Sequence, residues 1–269
     1  MEQFETLSVE RIDDVAVIEL NRPQAANCLN EAMTAELAAL ANSIDANEAV
    51  KAVVLTARGR FFCAGGDVKA MSEFGNQVTE KVKRLADDAH RAISALARMH
   101  APVIVAVNGV AAGGGFSLAM SGDLVLAAES ASFTMAYTRA GLSPDGSSTY
   151  FMPRLIGLRR LQELLFTNRT LSAREALDWN LVTRVVRDDA LRAEALALAR
   201  DLANGPANSH AAIKQLLLTG FQNGLETQME IEGRLIARAA ASADGQEGIT
   251  AFRDRREPRF GSNTGPNVG

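Results

Sequence analysis

Two short runs of β-branched residues, Lys51 to Thr56 and Val103 to Val107, constrain this chain more than any other feature. Each follows an amphipathic helical pattern, and each runs straight into a glycine-rich turn. In the first unit Asn30 is placed to cap a helix whose Met33, Leu37, Leu40 and Ile44 recur at steps of three and four. In the second, Val82, Leu85, Ala86, Ala89, Ile93, Leu96 and Ala97 form one stripe between Thr79 and Met99, and Pro102 stops the helix. Continuous apolar runs of this length read as strands buried on both faces, which requires a parallel sheet covered by helices. The turns that follow, ARGRFFCAGGD and NGVAAGGG, feed short helices at Val68 to Met71 and Gly115 to Ser121, so the pattern predicts an α/β fold built by internal repetition.

A hairpin is expected ahead of these units, with strands at Thr6 to Glu10 and around Val15 to Leu20 turning at Asp13-Asp14. A further strand is expected at Leu124 to Ala127. After Leu142 helical patterns dominate: Ser147 to Ile156, Leu158 to Thr167, and Ser172 to Trp179, opened by the capping box of Ser172 and Glu175. Leu181 to Val186 is the one late strand, followed by helices from Asp188 to Asn204, Pro206 to Thr219 and Gly224 to Ser242. The closing GSNTGPNVG has nothing to bury and is expected to be disordered.

Composition narrows the function classes. The 269 residues carry 28 Lys+Arg against 32 Asp+Glu, a formal charge of −4, which gives no basic field for a nucleic acid. The one long uncharged stretch, Ala101 to Gly122, is broken by Pro102, Asn108 and the triplet Gly113-Gly114-Gly115, so it reads as two soluble elements and no membrane partner is expected. The acidic N-terminus lacks a basic flank and an apolar run. Cys28 and Cys63 have no CxxC spacing, and the three histidines have neither HxxxH nor HExxH spacing. A reduced, cytoplasmic setting and no metal site are the expectation.

The chemistry-bearing candidates sit on the glycine turns and beyond. Glycines between a strand and a helix let backbone approach a ligand, and free N–H groups at a helix start favour developing negative charge. Neither the phosphate-loop pattern nor GxGxxG is met. Close helix-to-strand packing explains one such turn; two of them, Cys63-Ala64-Gly65-Gly66-Asp67 and the triplet, could instead grip one carbonyl oxygen as it becomes an oxyanion. Asp145, in Leu142-Ser143-Pro144-Asp145-Gly146-Ser147-Ser148, reads either as a helix cap or as an acid/base. His90 borders the apolar stripe of its helix, where packing and catalysis are both open; Tyr137 could be core or could hydrogen-bond a carboxylate.

These residues together resemble the crotonase superfamily, the enoyl-CoA hydratase/isomerase family. The matching blocks are Asn21-Arg22-Pro23 with Asn27-Cys28-Leu29-Asn30, Phe62 to Asp67, Pro102-Val103-Ile104 through Asn108-Gly109, the triplet and Asp123, then Leu171-Ser172-Ala173 with Glu175-Ala176 to Trp179 and Leu181-Val182. The resemblance implies a spiral of ββα turns over residues 1–200 carrying an acyl-CoA site, a helical trimerisation region over 201–260, and a tail at 261–269. It implies an acyl-CoA thioester substrate with no separate cofactor, since coenzyme A enters as part of the substrate, and a homotrimer or dimer of trimers. It assigns the oxyanion hole to the N–H groups of Gly66 and Gly114, and coenzyme A binding to Gln24, Ala25, Ala26 and Ala64, with Lys69, Arg253, Arg255 and Arg256 as basic candidates.

Departures from the family pattern sort the chemistry. Hydratases of the family carry one glutamate shortly after the triplet and a second near position 137; this chain has Ser117 and Tyr137, which speaks against hydration by two glutamates. The LSPDGSS segment looks like the family's isomerases of aromatic-degradation pathways, in which an aspartate moves a proton. His90 with Asp145, and the stretch Leu165 to Leu171, also resemble the family's 4-chlorobenzoyl-CoA dehalogenases, where the aspartate attacks the ring and the histidine activates water; a tryptophan stands there in place of Tyr137. Isomerisation, with Asp145, His90 and Tyr137 as catalytic candidates, is the leading expectation. Dehalogenase-type hydrolysis, an atypical hydratase or lyase, and a non-catalytic acyl-CoA-binding protein are the alternatives.

Overall fold

The computed structural model describes residues 4–261. The expected disordered tail falls outside them from residue 262 onward, while its first residue, Gly261, donates its N–H to Asp244 Oδ1 (2.9 Å). Strands β1 (Leu7–Ile12) and β2 (Val15–Leu20) pair antiparallel around the Asp13 turn, where φ is 56°. Helix α1 (Glu31–Asp45) starts where Asn30 Oδ1 accepts the Met33 N–H at 3.0 Å, and its Met33, Leu37, Leu40 and Ile44 are buried. There follow β3 (Ala52–Ala57), β4 (Phe61–Cys63), α2 (Val68–Ser72) and the long α3 (Val78–Arg98). The next turn of chain supplies β5 (Val103–Val107), β6 (Val110–Ala112) and α4 (Gly114–Ala119), and the third supplies β7 (Leu124–Ala128) and β8 (Ser132–Thr134).

Each turn therefore gives one strand to a first sheet, one to a second sheet, and then a helix. The first sheet has the order β1-β2-β3-β5-β7-β10, closed at its far edge by β10 (Arg184–Val186), and is parallel apart from the opening hairpin. The second has the order β4-β6-β8-β9, with β9 (Leu171–Ser172) antiparallel to β8. β3 and β5 are buried throughout, as their unbroken apolar runs require. Two strands of the second sheet, β4 and β6, lie inside what the residue pattern alone reads as glycine-rich turns, because strands of three residues are too short to show alternation.

Between the sheets and the C-terminus run α5 (Ser148–Ile156), α6 (Leu158–Thr167), α7 (Ala173–Asp178), α8 (Leu191–Ala203), α9 (Ala207–Thr219), α10 (Leu225–Ala241) and α11 (Ala243–Arg253). The Ser172 and Glu175 capping box forms as the spacing predicts. The late strand is shorter than expected, since the N–H groups of Leu181 and Val182 bond to Ala176 O and finish α7 before β10 begins. α8 lies over β2, β3, β5 and β7 on a face of small residues, Ala195, Ala199 and Ala203, that allows close approach.

α9 is tied to the spiral by one side chain. Lys214 is buried, and its Nζ donates to Leu96 O and Ala101 O at 3.1 Å and to Asp123 Oδ2 at 2.5 Å. Asp123 also accepts the Val103 N–H at 2.7 Å, so helix, strand and turn meet at one ion pair. Burial pulls the Lys214 ammonium below its ordinary range, opposed by the Asp123 charge. α10, by contrast, buries no residue and leaves Leu225, Met229 and Ile236 exposed.

Candidate active site

The two glycine turns are packed against each other by necessity. Gly65 adopts φ +94°, and a Cβ there would stand 2.8 Å from Ala112 O and 3.3 Å from Gly114 N. A Cβ on Gly115 would meet Cys63 O at 2.1 Å, so β4 and the start of α4 touch through bare backbone. Leu29 locks the first turn from the side: its N–H donates to Gly65 O (2.8 Å) and its carbonyl accepts from Asp67 N (3.0 Å). This leaves the N–H groups of Gly66 and Gly114 with no acceptor among the described residues. They are neighbours, since a Cβ on Gly114 would lie 3.9 Å from Gly66 N. Two adjacent unpaired donors on rigid backbone can polarise one carbonyl oxygen.

Both glycines line a cavity of about 510 Å³ that also reaches Asp145 and Tyr137. The rest of its wall is largely apolar, with Val82, Leu85, Ala86 and Ala89 from α3 and Val68, Val78 and Leu142 exposed at its mouth; Thr34, Thr79, Lys83 and Ser143 are its other polar members. Asp145 is the one carboxylate among the residues that line it.

Asp145 does not cap α5. Its backbone carbonyl accepts from Ser148 N (3.2 Å) and Ser148 Oγ (2.9 Å), while its carboxylate is left to other partners. Tyr137 Oη donates to Asp145 Oδ1 at 2.7 Å. Burial, then the neighbouring Asp145 charge, pushes the Tyr137 phenol well above its ordinary value, so it stays protonated and donates. Ser117, where family hydratases carry a glutamate, is buried and stands 2.9 Å from Tyr137 Oη and 3.1 Å from Asp145 O. With the Tyr137 proton committed to Asp145, Ser117 is the donor of that pair. Asp145 Oδ2 accepts no hydrogen bond from the described residues and lies 3.6 Å from His90 Nε2. That nitrogen accepts the Gly146 N–H at 3.2 Å, which places the proton of the neutral ring on Nδ1.

The expected coenzyme A residues are placed unevenly. The turn holding Gln24, Ala25 and Ala26 joins Ala64, whose N–H donates to Ala26 O at 3.1 Å, and Ala64 lines the cavity. Lys69 is exposed on α2 and does not line it. Arg253 pairs with Asp254 at 2.8 Å, and Arg256 pairs with Glu247 at 2.6 Å, holding that carboxyl down at about 2. These arginines and Arg255 do not line the cavity within one chain. Two residues not singled out for a role build the first turn: buried Asn27, at φ 52°, accepts from Arg22 N (2.8 Å) and donates to Arg58 O and Phe61 O (2.9 and 2.8 Å). Arg22 in turn reaches Cys28 O (2.5 Å) and Asp67 (3.3 Å). An asparagine four residues after a Pro-initiated turn was the available signal. Cys63 is fully buried and its thiol is pushed up to about 12, so it is not a nucleophile here.

A two-sheet spiral of ββα turns whose paired N–H donors share a largely apolar cavity with a lone carboxylate defines the crotonase fold class. The chain belongs to the enoyl-CoA hydratase/isomerase family, whose model matches residues 10–263. It is 37% identical to the 1,2-epoxyphenylacetyl-CoA isomerase of Escherichia coli (strain K12), covering 91% of this chain and 94% of that one. It is 31% identical to 4-chlorobenzoyl coenzyme A dehalogenase-2 of an Arthrobacter species, covering 93% and 91%. Among solved structures it resembles the enoyl-CoA hydratase of Bacillus anthracis with a TM-score of 0.90 at 32% identity, over 95% of this chain and 99% of that one.

Proposed function

We propose that the protein is an acyl-CoA isomerase that moves a double bond, or opens a ring epoxide, next to a thioester. The observation that carries this reading is the single carboxylate: Asp145 lines the same cavity as Gly66 and Gly114, with no second acid on that wall among the described residues. A double-bond shift needs one group to take a proton and return it elsewhere, whereas hydration must activate water and protonate carbon. With the thioester oxygen held by Gly66 and Gly114, Asp145 removes a proton from the carbon beside the carbonyl. The electron pair passes into the carbonyl, and the negative charge on oxygen is held by the two N–H groups. Asp145 then returns the proton to the far carbon of the former alkene, and the bond is conjugated with the thioester. Tyr137 keeps Asp145 oriented by donating to Oδ1, and Ser117 fixes Tyr137. Coenzyme A arrives with the substrate and no resident cofactor takes part.

A second reading rests on one contact. His90 Nε2 lies 3.6 Å from Asp145 Oδ2, the pairing a dehalogenase needs for an aspartyl ester and its hydrolysis. Against it, the Nε2 lone pair already accepts the Gly146 N–H, and among the described residues the cavity wall offers Tyr137 as its only aromatic ring. The deciding experiment is a panel of 3-enoyl-CoA, 2-enoyl-CoA, an aryl-epoxide thioester and 4-chlorobenzoyl-CoA. Isomerisation without hydration or chloride release supports the proposal; chloride release supports the second reading; retention of every thioester without turnover returns the chain to a binding protein. The exposed apolar face of α10 further supports assembly as a homotrimer or dimer of trimers.

A further inference from the structure

A cavity of about 500 Å³ opens where the ends of α1 and α3 meet α9 and α10. It shares no wall residue with the cavity that holds Gly66, Gly114 and Asp145. The residues that face each other across it explain why it is open. α9 presents Asn208, Ala211, Ala212 and Gln215 at helical steps of three and four, and α10 presents Leu235, Arg238, Ala239 and Ser242 at the same steps. Small and polar side chains on both helices do not fill the space between two backbones, so a seam that larger apolar residues would close remains a gap. The exposed Leu225, Met229 and Ile236 lie on another side of α10, since Leu235 and Ile236 are neighbours in sequence and point roughly 100° apart.

Charge on this wall is unbalanced. Asp45 is the one carboxylate among the residues that line it, and it is already held by His100, whose N–H donates to Oδ1 at 3.0 Å and whose Nδ1 lies 3.3 Å away. Buried Lys214 is committed too, because its three hydrogens go to Leu96 O, Ala101 O and Asp123. The guanidiniums of Arg98 and Arg238 are what remains. Arg98 reaches Ser94 Oγ at 3.4 Å and has no acidic partner among the described residues, and the Arg238 side chain bonds to none of them. The side-chain amides of Asn208 and Gln215 likewise have no hydrogen bond among the described residues.

We infer that this cavity binds a small organic oxyanion, a carboxylate or phosphate head on an apolar body. A guanidinium fork holds either head through paired N–H donors, and two forks with two amides beside them surround it with donors that lack another acceptor. The body lies against Ala211, Ala212, Leu218, Leu235 and Ala239, which complete the wall. The volume is within the range that small-molecule pockets take. With no residue in common between the two cavities, this site stands apart from the isomerase reading.

The test is titration calorimetry on the full chain with phenylacetate and phenyl phosphate, using acetate, inorganic phosphate and neutral phenylacetamide as controls. One site per chain is expected for an aromatic anion, about tenfold weaker or more for the bare head and absent for the amide; the tighter of the two aromatic anions tells a carboxylate from a phosphate ligand. Arg98→Gln and Arg238→Gln change exposed side chains and should each weaken binding about tenfold or more, the scale of a lost charge-assisted hydrogen bond. Ala212→Trp and Ala239→Trp fill the gap from facing helices, so either one, if the other fails to fold, should abolish binding. Lys83→Gln removes the one cation on the wall of the catalytic cavity and should leave this affinity unchanged. An affinity that neither arginine variant lowers overturns the site, and a loss confined to Lys83→Gln places the anion in the catalytic cavity instead. Equal binding of phenylacetamide, or no binding of either aromatic anion at millimolar concentration, also overturns it, the latter being the result for a seam covered by another subunit.

Discussion

Tyr137 holds Asp145 by a 2.7 Å hydrogen bond from a phenol that burial keeps neutral, so the one carboxylate of the cavity is presented by a donor that cannot compete for its charge. Replacing Tyr137 with Phe removes that donor, while Ser117 Oγ keeps the Asp145 and Gly113 carbonyls as acceptors. A hydrogen bond to a charged group contributes about 1.5 kcal/mol when water can partly replace it, which sets the expected loss of stability in denaturant titration. Turnover should fall as well, because Asp145 loses its orientation; an unchanged rate would show that Tyr137 only fills space.

Asp145→Asn keeps size and leaves the backbone carbonyl that receives Ser148 in place. Since the carboxylate caps nothing, the folded state should survive with little change in melting temperature. Turnover of 3-enoyl-CoA should drop ~10²-fold or more. A variant with the wild-type rate would remove Asp145 from the mechanism.

Gly114→Pro deletes one donor at the first residue of α4, a position where proline is tolerated. A Cβ there meets the flexible end of Leu29 at 3.2 Å. The expected cost is about 3 kcal/mol of transition-state stabilisation, seen as a fall in kcat/KM while circular dichroism stays native. Full turnover would mean that the thioester oxygen lies elsewhere.

How much of this was legible beforehand depends on the reach of each interaction. The Asn30 cap and the Ser172 and Glu175 box are local, and local spacing found them. Strands β4, β6 and β8 are three residues each and carry no period of their own, so β4 and β6 were hidden in the glycine turns that contain them and β8 gave no signal. Asp145 had two readings because a turn aspartate ahead of a helix usually caps it; Tyr137, brought across from a separate turn, decides otherwise. Arg253 and Arg256 looked available as a charge run, yet Asp254 and Glu247 pair with them once α11 is formed. Lys214 gave no signal, as its partners Leu96, Ala101 and Asp123 are far away in the chain.

Lys214 also sets a pH dependence. A lysine whose folded pKa is depressed binds fewer protons in the folded state, so its contribution to stability rises with pH toward its ordinary value of 10.5. The stability of wild type relative to Lys214→Met should therefore increase through the alkaline range. At neutral pH the variant should lose about 3 kcal/mol, the low end for breaking a buried pair, because Asp123 is partly open to water. A pH-independent difference in denaturant midpoints would contradict this assignment.

The exposed face of α10 predicts assembly. Light scattering at micromolar concentration should return three or six times the 28.7 kDa chain mass. Charged substitutions at Leu225, Met229 and Ile236 together should shift it toward one chain.

The contact of Gly115 with Cys63 has a consequence for how activity relates to folding. Because the two N–H donors come from successive windings of the chain, and bare backbone is all that spaces them, neither loop carries half of the function. The pair exists only once β4 and β6 are zipped side by side, so under the proposed function catalysis switches on as an all-or-nothing property of the assembled sheet. Turnover thus serves as a reporter of native topology, and a transplant of either glycine motif into a foreign scaffold would carry the letters without the chemistry.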